Sequence, residues 1–444
     1  DGMTRLLADL DDLEALLVID CNPAFEFPAS LGLAEALSKV ETVVSMQAYP
    51  NEVDTIAKYS LPIFHYLEAW GDEQPVAGVW SMRQPVVRRT TNSMQAEDAL
   101  MHVAAHMDKP LGFQDYRAYL KSKWRSVHEY FGSPGQFANF MKEVQRKGLG
   151  PEVKFAVQTI GQMADFSGEF TPVASGGEGI QLICHLDVRL HAGQGANRPV
   201  LQEVGDSMTS VAWDTWVGMS PKLASRLGVR RNDVVEVQGP AGKFEAAVYP
   251  LPGFHENVIT VPRGNGHDKS QATIEGGNGI NPLVTLAKAQ DQNTGMPVTA
   301  GQAVQVRKTG RRYRLAAMQK QNDIANRTDI VKKISVDKVN ATASKTRDLF
   351  DVPDLYPDLT KGDYQWRMSI DLTKCTGCSA CMVACSIENN VPQIGREQIL
   401  MGREMHWIRL DRYFSGEVEN PSVTFQPMMC QQCENPPCCD VCPT

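Results

Sequence analysis

Nine of the chain's 11 cysteines fall in its last 70 residues, in two runs. CTGCSACMVAC holds Cys375, Cys378, Cys381 and Cys385; CQQCENPPCCDVCP holds Cys430, Cys433, Cys438, Cys439 and Cys442. Thiols this dense point to a local inorganic centre, since a disulfide framework in a chain of 444 residues would be dispersed. The first run has intervals of two, two and three residues. A loop of that length wraps three thiolates around three corners of an iron–sulfur cube, and the fourth cysteine, at the start of a helix, turns toward a different cluster. Gly377 suits such a loop because glycine adopts backbone angles closed to other residues. The second run has intervals of two, four and three, with Pro443 after Cys442; Cys439 lies outside this frame and reads as a packed thiol. Zinc is the rival, because CxxC pairs also build tetrahedral sulfur sites. Four ligands as crowded as Cys375 to Cys385 would strain one tetrahedral shell, so the spacing favours iron–sulfur. Eight ligands follow: Cys375, Cys378, Cys381, Cys385, Cys430, Cys433, Cys438 and Cys442. The 44 residues between the runs, with the strand-like MHWIRLDRYF, are long for a small two-cluster ferredoxin and imply an enlarged one.

A formal charge of −8 argues against a nucleic-acid binder driven by bulk charge. With 42% hydrophobic and 22% charged residues, long disorder is not expected. No apolar run has the length of a bilayer span. The chain starts at Asp1 without a Met and stops at Thr444 just after a Cys-Pro, which reads as a piece of a longer polypeptide.

The elements before the cysteines form a multidomain order. Residues 1–110 alternate short strands and helices, as in an α/β layer domain: LLVI closed by Asn22-Pro23, then GLAEALSKV, then ETVVSMQAYP, then NEVDTIAKYSLPIF with Asn51 as a cap. Residues 111–153 are aromatic and basic with helical spacing and read as a surface helical insertion packed on that domain. Residues 154–308 become short β runs split by Gly, Pro and Asn, from KFAVQTI to QAVQVRK, which suggests a β-barrel. The helix SPKLASRLG interrupts them. Residues 309–364 have linker composition. Residues 365–444 form an incomplete α+β iron–sulfur domain of ferredoxin-like type.

The two cysteine runs resemble the first half of the four-cluster ferredoxin subunit of molybdopterin oxidoreductases of the polysulfide and dimethyl-sulfoxide reductase type. In that family these motifs pair with two more, which would lie beyond Thr444. Residues 1–308 resemble the C-terminal half of the molybdopterin catalytic subunit, through LLVIDCNPAF, SLPIFHYLEAWGD, the stretch from NRPVLQEV to NDVVEV, and GNGINPLVTLAKAQDQNTGMPV. The barrel is then similar to a molybdopterin-dinucleotide-binding domain. Both halves fused in one chain look like the B subunit of alternative complex III, a bacterial membrane quinol oxidoreductase. That resemblance implies an electron-transfer subunit with three [4Fe-4S] clusters and one [3Fe-4S] cluster, and a degenerate scaffold without molybdenum or molybdopterin. It further implies a membrane quinol-oxidising partner of polysulfide-reductase membrane-subunit type, c-type haem subunits and a periplasmic cytochrome or copper protein as acceptor. The chain would sit peripherally on the periplasmic side of the inner membrane. Cys21 stands where the family's loop has a glycine. The alternative is an active molybdenum bis-pterin oxidoreductase fused to its ferredoxin.

The remaining polar residues read as structural, and no catalytic residue is assigned. Asn22, Asn278 and Asn281 are positioned to meet a pterin guanine, but Asn-Pro and Asn-Gly are turn signals first. His185, His191, His255 and His267 lack metal-ligand spacing. Cys21 and Cys184 read as buried thiols. Asp206 and Asp214 lack a partnered acid or base, and Gly264 and Gly266 do not make a phosphate loop. Met401, Met405, Met428 and Met429 suit cluster shielding or core packing better than ligation.

Overall fold

The computed structural model describes residues 2–76, 78–131, 133, 135–151, 179–268, 279–291, 294–324, 327, 330–331, 364 and 368–429. The second cysteine run, Asn278, the strand expected at KFAVQTI and most of the expected linker therefore lie outside the described residues. The chain divides into two compact units, one built mainly from residues 1–174 and the other mainly from 175 onward.

The first unit opens with α1 (Gly2–Asp9) and β1 (Ala15–Ile19). Then α2 (Pro23–Glu26) and α3 (Leu33–Leu37) lead to β2 (Thr42–Gln47), and β3 (Tyr59–Pro62) completes a three-stranded parallel sheet in the order β1-β2-β3. Parallel neighbours joined by helical crossovers are the arrangement expected of α/β alternation. Leu10, Val18, Leu37, Val43 and Val53 form its core. Leu17 is exposed, so β1 is covered on one face rather than buried on both as its apolar run suggested. Asn51 caps the 3-10 turn Glu52–Thr55, accepting from Val53 N, while Asp54 returns a bond to Asn51 N. The hairpin β4 (Gly71–Val76) and β5 (Val79–Arg83) follows, then α4 (Ala96–His106). The helical insertion is α5 (Tyr116–Tyr130) and α6 (Phe137–Lys147). Asp115 caps α5 through Ala118 N, and Gly148, at φ +69°, ends α6. Trp124 is fully buried against Met82, Val127 and Val144, which fixes the hairpin to β5.

The second unit contains a closed six-stranded barrel. Its strands are β6 (Ile180–His185), β7 (Trp216–Met219), β8 (Asp233–Gln238), β9 (Lys243–Pro250), β10 (Val258–Pro262) and β11 (Ala300–Arg312), closing in the order β10-β6-β11-β8-β9-β7. Leu182, Val217, Met219, Val235, Val237, Val248 and Ile259 fill it, all fully buried. Each such side chain contributes roughly 1.5–3 kcal/mol of transfer free energy. Closure also removes every sheet edge from solvent. Between the strands lie α7 (Pro199–Glu203) and α8 (Pro221–Arg226). Ser220 caps α8 by accepting from Leu223 N at 3.0 Å, with the boundary the sequence motif predicts.

After the barrel come α9 (Ala380–Glu388), α10 (Gly395–Leu400) and the antiparallel hairpin β12 (Arg409–Gly416) and β13 (Pro421–Met428). These elements share cores with the barrel. Phe414 packs with Val211, Trp216, Tyr249 and Leu251, and Ile399 packs with Ala212, Trp213 and Ala316. One expectation needs correction: β11 runs to Arg312, and Leu315, Ala316 and Ala317 are buried, so the start of the stretch read as linker belongs to the core. Its basic residues misled because long cationic side chains sit on the outside of a strand whose next turn dives inward. Among the described residues no helix is long and apolar enough to cross a membrane.

Candidate iron–sulfur site

Cys375 and Cys378 lie on the loop that enters α9; Cys381 and Cys385 lie on α9 itself, one turn apart. The loop bends through two left-handed residues, Gly377 at φ +72° and Ser379 at φ +62°. Glycine is required at 377 for a second reason: a Cβ there would sit 2.7 Å from Cε1 of Phe425 on β13. Cys378 and Cys381 are exposed, and Cys375 and Cys385 half-buried. Burial pushes the Cys381 thiol above its ordinary range, and the Cys378 and Cys375 sulfurs push it further, so the three are electrostatic neighbours. Among the described residues no three His, Cys, Asp or Glu side chains converge to hold a single ion. The donor set and the pre-bent loop fit an iron–sulfur cluster. Cys385 differs from the other three: its Sγ lies 3.5 Å from Asn389 Nδ2, which also donates to the Cys385 carbonyl at 2.9 Å.

The barrel side holds this loop through buried polar groups. Ser207 Oγ donates to the Gly377 carbonyl at 2.6 Å. Glu203, on α7 and 2% exposed, accepts from Ile394 N and from Gly395 N at 2.8 Å, the start of α10. Asp214 accepts from Arg396 Nε at 2.7 Å, Tyr313 Oη at 2.8 Å and Ala316 N at 2.8 Å, and Arg396 also lies over the Tyr313 ring. Burial and the Asp214 carboxylate together raise the Tyr313 phenol well above its ordinary value. Arg412 on β12 is 1% exposed and donates to the Met208 carbonyl, to Gln319 Oε1 at 2.8 Å and to Tyr249 Oη at 3.1 Å. His406 meets Ser386 of α9 at 3.2 Å, and burial lowers its pKa against the opposing pull of Glu203. Asp214, read from the sequence as lacking a partnered acid or base, is in fact paired with Arg396, a partner hidden because it lies 182 positions away; the others did not stand out in the sequence.

The other sequence candidates take structural roles. Asn22 Nδ2 donates to Glu52 at 2.6 Å, and Asn281 caps the 3-10 turn Pro282–Thr285. Asp206 accepts from Met208 N, Thr209 N and Thr209 Oγ1. His255 accepts from Asn257 N, His185 lies 3.2 Å from the next residue's carbonyl, and His191 holds a left-handed turn at φ +52°. Cys184 is buried, which pushes its thiol up to about 12. Cys21 is exposed, contrary to expectation, because the chain leaves the sheet at Asp20, φ +48°, before reaching it. Met401 and Met405, which follow α10, are exposed. Gly264 and Gly266 are left-handed, and a Cβ at either would strike Leu190 or the backbone of Ile280 and Asn281. Their space is filled by the chain itself.

Two family models match separate stretches of the chain. Residues 189–301 match the molydopterin dinucleotide binding domain, and residues 374–444 match the 4Fe-4S dicluster domain. The chain thus carries a molybdopterin-binding-like domain over residues 189–301, followed by a 4Fe-4S dicluster domain over residues 374–444. It is 22% identical over 304 residues, 66% of its length, to the molybdopterin-binding-like subunit of menaquinone reductase from Nitratidesulfovibrio vulgaris, covering 42% of that protein. It is 42% identical over 81 residues, 18% of its length, to the iron-sulfur cluster-binding subunit of menaquinone reductase from the same organism, covering 31% of it. An Hdr-like menaquinol oxidoreductase iron-sulfur subunit from Archaeoglobus fulgidus is 31% identical over 103 residues, 20% of this chain and 37% of that protein. The chain spans less than half the length of each of these relatives.

Proposed function

We propose that this chain is the iron–sulfur electron-transfer subunit of a membrane-bound quinol oxidoreductase, with its barrel acting as a scaffold rather than a substrate site. Electrons pass from a membrane quinol-oxidising partner of polysulfide-reductase membrane-subunit type, through this chain, to c-type haem subunits and a periplasmic cytochrome or copper protein. The assembly is of the alternative complex III type, peripheral on the periplasmic side of the inner membrane. The observation that carries this reading is the docking of the cysteine-bearing segment: Ser207 bonds the cysteine loop at Gly377, Glu203 and Asp214 hold α10, and Arg412 of β12 bonds Met208 and Tyr249. Cys375, Cys378 and Cys381 supply three thiolates to one [4Fe-4S] cluster and Cys430, Cys433 and Cys438 three to another, while Cys385 and Cys442, the fourth cysteines of their runs, each turn to a different cluster. Bound clusters supply one-electron carriers, one of them a [3Fe-4S] cluster; this chain's residues orient them, exclude water and set their potentials. Molybdenum and molybdopterin are absent in this reading.

A second reading, an active molybdenum bis-pterin enzyme fused to its ferredoxin, is favoured by the match of residues 189–301 to a dinucleotide-binding domain. Metal analysis of the purified full-length protein separates the two, with low-temperature EPR alongside. Iron above about a dozen atoms per chain without molybdenum is expected; stoichiometric molybdenum overturns the scaffold.

A further inference from the structure

The helical insertion carries a feature that electron transfer does not use. Between α5 and α6 lies a groove of about 560 Å³ with an apolar floor that includes Trp70, Phe137 and Met141. Arg117, Lys121 and Arg125 recur every fourth residue along its α5 wall, and Lys142 faces them from α6. The first three span about 12 Å along the helix. The Arg117 guanidinium lies 4.7 Å over the Trp70 ring and that of Arg125 lies 4.5 Å over Phe137, so both cations rest on the aromatic walls. Among the described residues none of the four cations forms an ion pair. Asp115, which also lines the groove, is engaged in capping α5 through Ala118 N. Four like charges gathered around one apolar trough repel each other, and a negative occupant with an apolar face relieves that repulsion.

We propose that this groove receives an acidic amphipathic helix from a partner polypeptide. A lipid headgroup is a compact anion and meets one end of a 12 Å array. A helix with acids at i, i+4 and i+8 matches Arg117, Lys121 and Arg125 one for one, and its apolar stripe fills the floor. This inference stands apart from the cluster chemistry, so cofactor content and groove binding fail independently.

The test is fluorescence anisotropy with the full chain and three labelled synthetic helices. One carries Glu at i, i+4 and i+8 with Leu between; the second has Lys in place of Glu; the third keeps Glu but replaces Leu with Gln. The Glu/Leu helix is expected to bind, and the Lys/Leu and Glu/Gln helices to bind at least roughly tenfold more weakly. Combined Arg117→Glu, Lys121→Glu and Arg125→Glu exchange is expected to reverse the preference, so that the Lys/Leu helix now binds better. Lys142→Glu, on the opposite wall, provides a second variant with the same direction of effect. Circular dichroism and iron content unchanged from the parent establish that the variants fold, as their exposed positions predict. Equal affinity for all three helices, or no reversal in the folded charge variants, overturns the proposal. So does capture by phosphatidylglycerol vesicles that the charge variants lose while no helix binds, which would make the groove a lipid site.

Discussion

In the barrel, charged side chains answer one another; in the cysteine loop, the reactive groups are left facing outward. Asp187 and Arg189 are both nearly inaccessible and pair at 2.6 Å, with Arg189 also donating to the Val204 and Val211 carbonyls. Burial alone would raise the Asp187 carboxyl, but the Arg189 charge and its hydrogen bonds win and hold it below the ordinary carboxylate range. Glu203, Asp214 and Arg412 are likewise saturated by partners within the unit. Residues 375–385 show the opposite: Cys378 and Cys381 are exposed, and the Asn389 amide lies 3.5 Å from the Cys385 sulfur. The contrast separates two uses of polar groups: in the one they are spent on packing partners, in the other they are left available to a ligand.

The comparison breaks most severely at the thiols. Cys378→Ser is expected to remove about one cluster, seen as a loss of roughly four iron atoms per chain and of one EPR signal, while the barrel keeps its circular dichroism. Unchanged iron would show that Cys378 is not a cluster ligand. Asp214→Ala is next: it strands Arg396 and Tyr313, and a broken buried pair costs about 3 kcal/mol, at the low end because Arg396 is one-fifth exposed. Urea unfolding with Asp214→Asn as control measures it.

A pH scan sharpens the same boundary. His406 is held neutral by burial, so its folded pKa lies below the ordinary value near 6.5. The unfolded chain then takes up the proton first as pH falls. Stability conferred by His406 is therefore present above about pH 6.5 and declines below it. His406→Gln should flatten that part of the profile.

Smaller still is Asn389→Leu. It removes a donor from a cluster sulfur, and about 1 kcal/mol of lost hydrogen bonding amounts to a potential lower by at most roughly 40 mV for one electron. EPR redox titration reads it. The shift should fall on the cluster served by Cys385 and leave the one held by Cys375, Cys378 and Cys381 in place. At the bottom of the scale, Lys222→Gln breaks an exposed pair with Glu419 and should leave the unfolding midpoint unmoved.

Local signals were legible where one residue type dictates one geometry. Ser220-Pro221 and Gly228 delimited α8, Asn51 capped its turn, and the glycine at 377 marked a left-handed bend. The cysteine spacing named the chemistry because sulfur ligands must follow one another within a loop. What stayed hidden depends on tertiary pairing. Glu203 reads as an ordinary helix acid until it meets Gly395, 192 positions later. Arg412 sits in LDRYF like any strand arginine until Gln319 and Tyr249 enclose it. The one-sided burial of β1 was equally invisible, because an apolar run says that a strand can be covered and not on how many faces.

The seating of Phe414 against Val211, Trp216 and Tyr249 has a temporal side. Phe414 emerges from the ribosome 203 residues after Val211, which at typical elongation rates is roughly 10–40 s. During that interval one face of the barrel awaits its cover, and contacts so distant along the chain make the closing step slow. The segment that supplies this cover also brings the thiols, so maturation of the metal centre and completion of the hydrophobic interior are scheduled together. A nascent chain stalled before β12 would present both an incomplete barrel and unclaimed cysteines to the folding machinery at once.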